Sequence, residues 1–125
     1  MKAANYGRII NVASIGGRAN RPVSVTYSTP KAAICGMGRA LANELKPWNI
    51  TVNTMAPGPI NAGMFKKAGD DPKFQKQKQM LESTVVLGRL GEMSEIAAGI
   101  LYFADDAAAA VTGEIMDING GAYMC

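Results

Sequence analysis

The chain has 125 residues, of which 48% are hydrophobic and 18% are charged, and its formal net charge is +3. This length fits at most one domain, and the small, scattered charge does not indicate a nucleic-acid partner. The sequence contains no histidine, which excludes histidine-based metal sites and serine–histidine or cysteine–histidine catalysis.

The first part of the chain predicts a strand, a loop and a helix. A β-branched, apolar run at Gly7–Ser14 ends in small residues and indicates a buried strand. Residues 15–24 contain glycine and proline and predict a loop. Apolar or small residues then recur at helical spacing over Tyr27–Lys46, and Pro47 ends the pattern.

The second part of the chain predicts two more strands and a second packed helix. The run Asn49–Gly58 indicates a strand that closes at a Pro-Gly turn, and the polar stretch 61–83 predicts two short exposed helices. A further helical pattern covers 92–105, with Glu95 suitably placed in its first turn, and Gly113–Gly121 predicts the last strand. Because helices alternate with buried strands, we expect an α/β fold with a parallel sheet and right-handed crossovers.

The two cysteines and the hydropathy pattern bear on the compartment. Cys35 and Cys125 lie far apart and lack the spacing of a metal or redox motif. We expect both to be reduced, which suits a cytoplasmic protein. No apolar run approaches the roughly 20 residues of a membrane span, and the polar start of the chain does not resemble a signal peptide. The expected partners therefore include neither nucleic acid nor membrane.

Tyr27 and Lys31 are four residues apart and so share one face of the predicted helix. Such a pair alone is more often a half-buried aromatic beside a solvated lysine. An ammonium close to a phenol nevertheless favours the phenolate, which suits proton exchange with an alcohol or carbonyl oxygen. Pro30 lies between them, and if the helix begins near Thr26 or Tyr27, its missing N–H would have had no intrahelical partner. We therefore expect the pair to survive.

Ser14 ends the first predicted strand, ahead of Tyr27. Open parallel sheets bind ligands beyond the carboxyl ends of their strands. A serine at that place can hydrogen-bond a substrate carbonyl beside the tyrosine, whereas a serine taken alone is more often part of a turn.

Four motifs, in order, resemble those of the short-chain dehydrogenase/reductase family. The family's Asn-x-x-Ser strand end and Tyr-x-x-x-Lys helix correspond to NVAS and YSTPK. NTMAPGPI is similar to the Asn-x-x-x-Pro-Gly-x-Ile segment that passes under the nicotinamide. GRLGEMSEIA and VTGEIMDINGG are similar to the family's Gly-Arg-x-Gly turn with its helix and to its closing strand, with Ile118 and Asn119 in place of valine and aspartate. The resemblance covers about Gly7–Gly121.

The resemblance implies an oxidoreductase that transfers a hydride between NAD or NADP and a secondary alcohol or ketone, with no metal. It implies that Tyr27 donates and accepts the proton, that Lys31 binds the nicotinamide ribose hydroxyls, and that Ser14 positions the substrate oxygen. The implied catalytic residues are Ser14, Tyr27 and Lys31. The implied cofactor-binding residues are Tyr27, Lys31, Pro57, Gly58 and Ile60. Family members are commonly oligomers, so a homo-oligomer is also expected.

Two features depart from the family's pattern. Ala62 stands where the family usually has a threonine that hydrogen-bonds the cofactor, and a methyl group cannot replace that contact. The glycine-rich turn that sets the pyrophosphate on a helix N-terminus has no counterpart among the 125 residues. We therefore expect residues 1–125 to be a partial domain, the C-terminal half of a Rossmann-like doubly wound parallel sheet with about three strands and flanking helices. Met1 then resembles an internal methionine, and the chain alone is expected to be inactive.

An alternative from another class stays open at this point. The chain would then be a truncated, non-enzymatic fragment, or an interaction module that pairs through an uncovered sheet edge. The substrate is also open, since an oxoacyl thioester, a sugar, a polyol or a steroid fits the residues equally well.

Overall fold

The computed structural model describes residues 1–19, 23–63 and 71–124. Its strands and helices, in chain order, are β1 (Gly7–Val12), α1 (Val25–Glu44), β2 (Ile50–Pro57), α2 (Pro72–Glu82), α3 (Met93–Ala104) and β3 (Ile115–Ile118). Single turns of 3₁₀ helix follow β1, at Ile15–Gly17, and α3, at Asp106–Ala108. Over the described residues, this order agrees with the sequence prediction, with one of the two exposed helices expected within 61–83.

The three strands form one parallel sheet in the order β1-β2-β3. Gly7 of β1 pairs with Ile50 of β2, and Thr54 of β2 pairs with Ile115 of β3. Because all three strands run the same way, their carboxyl ends lie at one edge of the sheet. This arrangement confirms the predicted parallel α/β fold.

Helices α1 and α3 cover opposite faces of the sheet. A Cβ atom added to Gly38 of α1 would lie 2.6 Å from Thr54 Oγ1, and one added to Gly99 of α3 would lie 2.6 Å from Met55 Cε. Thr54 and Met55 are neighbours on β2, and neighbouring strand residues point to opposite faces. The sheet is therefore the middle of three layers, and a glycine on each helix allows the close contact.

The central strand β2 forms the core because a helix covers each of its faces. Val52 and Met55 are both 0% exposed. The strand also buries Asn53, whose Nδ2 donates to Val111 O at 2.8 Å and whose Oδ1 accepts from Glu114 N at 3.1 Å. These bonds satisfy the buried amide and hold the segment that leads into β3.

Strands β1 and β3 are shorter than the runs that predict them. Ser14 Oγ accepts the N–H of Gly16 and starts a 3₁₀ turn, so β1 ends at Val12. After β3, Gly120 and Gly121 have φ angles of +62° and +84°, which end the extended conformation. A local side-chain hydrogen bond, or glycines with positive φ, can therefore end a strand before its apolar sequence pattern ends.

The helix bounds also differ from those expected. Helix α1 spans Val25–Glu44 and so begins and ends two residues earlier than the predicted Tyr27–Lys46. Helix α2, Pro72–Glu82, is one of the two exposed helices predicted within 61–83, and none of its residues is buried. The rest of that prediction falls largely on 64–70, outside the described residues. Within the described ranges, no helix is long and apolar enough to cross a membrane.

Pro30 lies inside α1 without breaking it. Because the helix begins at Val25, the N–H that Pro30 lacks would have paired with the Thr26 carbonyl. The expectation that this N–H had no intrahelical partner is therefore wrong. The expectation for the pair is confirmed, since Tyr27 and Lys31 lie four residues apart in one continuous helix and share a face.

Candidate active site

Ser14 lies at the carboxyl edge of the sheet, two residues beyond the end of β1. Its Oγ accepts the N–H of Gly16 at 3.1 Å and caps the 3₁₀ turn Ile15–Gly17. A hydroxyl that accepts one hydrogen bond keeps its own proton to donate. Ser14 can therefore donate to a substrate oxygen while the turn holds its side chain.

Tyr27 lies in the first turn of α1 and is 45% exposed. Its ring and the Ser14 hydroxyl border the same residue, because a Cβ atom added to Gly16 would lie 3.0 Å from Tyr27 Cε1 and 3.5 Å from Ser14 Oγ. The glycine at this position leaves room for both groups. The structure thus brings together the serine and the tyrosine that the sequence singles out.

Lys31 lies one helical turn after Tyr27 and reaches back to the end of β1. Its Nζ donates to Val12 O at 3.2 Å. The backbone of α1 at Lys31 packs directly on Gly17, since a Cβ atom added to Gly17 would lie 2.5 Å from the Lys31 carbonyl carbon. An ammonium group has three N–H donors, so two remain for other acceptors.

Pro57 is the last residue of β2, and Gly58 and Ile60 lie in the segment that follows the strand. Gly58 N donates to Ile118 O at 2.9 Å, and a Cβ atom added to Gly58 would lie 2.6 Å from Asn119 Cα. The close approach at Gly58 is thus made by the backbone that follows β3. This contact requires a glycine whether or not a cofactor also passes nearby.

A pair of backbone hydrogen bonds holds this segment against the start of α3. Gly91 N donates to Pro59 O at 2.9 Å, and Asn61 N donates to Gly91 O at 2.7 Å, around the isolated bridge between Ile60 and Gly91. The Asn61 side chain also donates to Glu92 Oε1 at 3.0 Å. Sequence reasoning recognised the Gly-Arg-x-Gly turn but missed its contact with the segment after β2.

An ion pair between Arg89 and Glu95 connects the Gly-Arg-x-Gly turn to α3. Two guanidinium nitrogens bond the carboxylate, with Arg89 Nη1 at 3.0 Å and Nη2 at 2.6 Å. Glu95 Oε2 also accepts the N–H of Glu92 at 2.8 Å, and the two glutamates form a capping box. The hydrogen bonds from Arg89 and then from the Glu92 backbone lower the pKa of Glu95 to about 2.

Arg18 is a residue near the site that sequence reasoning missed. It follows the 3₁₀ turn after Ser14 and forms an ion pair with Asp117 of β3. Its guanidinium carbon lies 5.7 Å from the centre of the Tyr123 ring. Arg18 and Asp117 are 99 residues apart, so no spacing pattern in the sequence connects them.

The residues at this edge fit the nicotinamide riboside part of a dinucleotide cofactor. Lys31 keeps two N–H donors suited to ribose hydroxyls, and the Ser14 and Tyr27 hydroxyls lie on the adjoining side of Gly16. Ala62 offers a methyl group, and its backbone N–H is already bonded to Ile60 O at 2.9 Å. The described residues contain no group of three or more His, Cys, Asp or Glu side chains that could hold a metal ion.

Curated proteins with similar sequences match the chain over nearly all of its length. A family model described as enoyl-(acyl carrier protein) reductase matches residues 1–123. The 3-oxoacyl-[acyl-carrier-protein] reductase FabG of Vibrio harveyi is 40% identical over 99% of this chain and 49% of that protein. Nodulation protein G of Rhizobium meliloti (strain 1021) is 39% identical over 94% of this chain and 46% of that protein. The chain spans about half the length of the curated relatives that it matches.

Solved structures share the fold. A 3-oxoacyl-[acyl-carrier protein] reductase from Brucella melitensis has a TM-score of 0.87 and 36% identity, over 100% of this chain and 45% of that chain. ElxO with NADP bound has a TM-score of 0.90 and 30% identity, over 98% of this chain and 48% of that chain. Fold and site therefore define a Rossmann-type α/β protein with hydroxyl and ammonium groups at the carboxyl edge of its sheet. The chain belongs to the short-chain dehydrogenase/reductase family.

Proposed function

We propose that the full reading frame containing this chain encodes an NAD(P)-dependent reductase that converts a ketone to a secondary alcohol. The observation that carries the proposal is that the Ser14 hydroxyl and the Tyr27 ring both lie next to Gly16, with Lys31 one helical turn after Tyr27. The FabG relatives favour the 3-oxo group of an acyl thioester as the ketone. They also favour the reductase over the non-enzymatic alternative.

The proposed mechanism divides orientation and proton transfer among three side chains. A bound nicotinamide supplies the hydride in reduction and accepts it in the reverse direction. Ser14 donates its hydroxyl proton in a hydrogen bond to the ketone oxygen and orients it toward the phenol. Tyr27 transfers its proton to that oxygen as negative charge develops there, and takes it back from the alcohol in oxidation. The Lys31 ammonium donates hydrogen bonds to the ribose hydroxyls and so orients the nicotinamide beside the phenol.

The rest of the cofactor is proposed to bind outside these 125 residues. The sequence has no glycine-rich strand–turn–helix to receive a pyrophosphate. Solved relatives hold either NADP or NAD, so both cofactors belong in the assay. The free, buried thiol of Cys35 suits a cytoplasmic protein, and a homo-oligomer is expected.

A second candidate reaction is the reduction of the double bond of an enoyl thioester. The description of the matching family model favours it. The two reactions separate cleanly when purified protein is given a 3-oxoacyl thioester and a 2-enoyl thioester of equal chain length. We expect turnover of the 3-oxo substrate, because a serine beside a tyrosine suits direct protonation of a carbonyl oxygen.

The proposal is tested by Tyr27→Phe in the full reading frame. Removal of the phenolic proton should lower kcat for the 3-oxoacyl thioester by about 100-fold or more. Binding of NADPH, measured by calorimetry, should stay within about twofold, because Lys31 is intact. Tyr102→Phe is the matched control, since Tyr102 is 47% exposed against 45% for Tyr27 and lies on α3. Retention of normal turnover by Tyr27→Phe would overturn the assignment.

A further inference from the structure

Residues Ser14–Ala19, here called the serine turn, lie between the end of β1 and the first turns of α1. On one side, Ser14 Oγ accepts the N–H of Gly16. On the other, Gly16 contacts the Tyr27 ring and Gly17 contacts the Lys31 backbone at distances that leave no room for a Cβ atom on Gly17 and little on Gly16. Any shift of the serine turn therefore moves the Ser14 hydroxyl relative to the Tyr27 phenol.

Arg18 connects the serine turn to β3, the strand at the opposite edge of the sheet from β1. Its backbone N–H donates to Ile15 O at 3.0 Å, which closes the 3₁₀ turn. Its side chain is 16% exposed and pairs with Asp117, which is 18% exposed. The guanidinium also lies over the Tyr123 ring. A largely buried arginine with a carboxylate and an aromatic partner is held much more firmly than a surface ion pair.

The partners of Arg18 are themselves fixed. Asp117 is part of β3, where it pairs in register with Ala56, a fully buried residue of the central strand. Asn119 joins the end of β3 to the segment after it, since its Nδ2 donates to Tyr123 O at 2.9 Å and its Oδ1 accepts from Gly121 N at 2.8 Å. The contacts of Arg18 therefore reach β3 and the loop after it, both of which are held by hydrogen bonds of their own.

We propose that Arg18 is a positioning residue, which sets the distance between the Ser14 hydroxyl and the Tyr27 phenol through its contacts with Asp117 and Tyr123. This inference rests on the proposed reductase function. It assigns a role in turnover to an arginine outside the residues proposed for cofactor binding and proton transfer.

The test compares two ion pairs at opposite ends of the sheet. Arg18→Met and Asp117→Asn remove the pair beside the serine turn, whereas Arg8→Met and Asp106→Asn remove the pair at the amino end, where the Arg8 side chain is 8% exposed. In the full reading frame, the first two variants should lower kcat by about 10- to 100-fold, with KM for NADPH within about twofold. The two control variants should keep kcat within about twofold, even where they lower the melting temperature equally.

A second measurement separates this inference from the proposed function. Hydrogen exchange of the backbone amides of residues 15–19 should be faster in Asp117→Asn than in Asp106→Asn. If wild type reduces neither thioester, the proposed function fails, and the exchange rates alone decide whether Arg18 holds the turn. If wild type is active and Asp117→Asn keeps its kcat, or if exchange at 15–19 is unchanged, the positioning role is overturned. Asp117→Asn carries the test if Arg18→Met does not fold.

Discussion

Gly16 separates the serine and the tyrosine of the candidate active site. It is not among the glycines with positive φ, so its backbone conformation is open to any residue. The restriction is steric, because an added Cβ atom would lie 3.0 Å from the Tyr27 ring and 3.5 Å from Ser14 Oγ. A methyl group there pushes the phenol away from the hydroxyl by a few tenths of an ångström without unfolding the chain.

We expect Gly16→Ala to lower kcat of the full reading frame by about tenfold and to leave its fold intact, because the reacting groups are displaced and the core is not. Steady-state kinetics and circular dichroism measure the two effects. Gly36→Ala is the matched control, since Gly36 lies in α1 and has no heavy atom within 4 Å of an added Cβ atom. That variant should keep kcat and gain about 0.5–1 kcal/mol in unfolding free energy. Equal kcat values for the two variants would contradict this account of Gly16.

Residue types and spacing predict the chemical groups of the site but not all of their contacts. Ser14, Tyr27 and Lys31 could be singled out because a strand end and a helical face are local features of the sequence. The bond from Lys31 to Val12 O and the pairing of Arg18 with Asp117 depend on how distant segments pack. Such contacts become visible only when the tertiary structure is known.

At the scale of the element, the capping box of Glu92 and Glu95 and the hydrogen bonds from Arg89 stabilise the N-terminus of α3. The sequence predicted this helix closely, as 92–105 against the observed Met93–Ala104, because the apolar period and the first-turn acid agree. Helix α1 was less well predicted at its start. Its early turn packs on the serine turn, and that tertiary contact is not encoded in the helical period.

The ion pair of Glu95 predicts how stability depends on pH. The pKa of Glu95 is lowered from 4.5 to about 2, so the folded state holds the charged form more strongly than the unfolded state does. The stabilising contribution is therefore present above pH 4.5 and is lost as the pH falls from about 4.5 toward 2. Urea unfolding of wild type and Glu95→Gln should give a stability difference that is constant near neutral pH and shrinks over that acidic range. Arg89→Gln should show a reduced dependence in the same window, whereas a difference that persists unchanged at pH 2 would refute the pairing.

At the scale of the whole molecule, the sheet collects the site from distant parts of the chain. Ser14 follows β1, Pro57 ends β2 and Asp117 lies in β3, and parallel pairing brings all three to one edge. The sequence allowed this to be predicted, because alternating strands and helices imply parallel strands with their carboxyl ends together. It did not predict that α1 and α3 each contact β2 through a glycine, since those contacts depend on the depth of packing.

The isolated 125-residue chain is expected to show no dehydrogenase turnover, whereas the full reading frame should turn over. The chain spans about half the length of its curated relatives, and its sequence has no glycine-rich turn for the pyrophosphate. The comparison requires both proteins at equal concentration, with NADPH oxidation followed in the presence of a 3-oxoacyl thioester. Measurable turnover by the isolated chain would contradict the expectation.

The sequential order β1-β2-β3 also has a consequence for biosynthesis. Strand β1, helix α1 and strand β2 precede β3 in the sequence and therefore emerge from the ribosome before it, and the segment from β1 through α1 already includes Ser14, Tyr27 and Lys31. Asp117, the ion-pair partner of Arg18, lies in β3 and is translated 99 residues after Arg18. The nascent chain therefore contains the groups proposed for proton transfer before β3 is made, and the alignment that we propose for Arg18 can form only after β3 has been added.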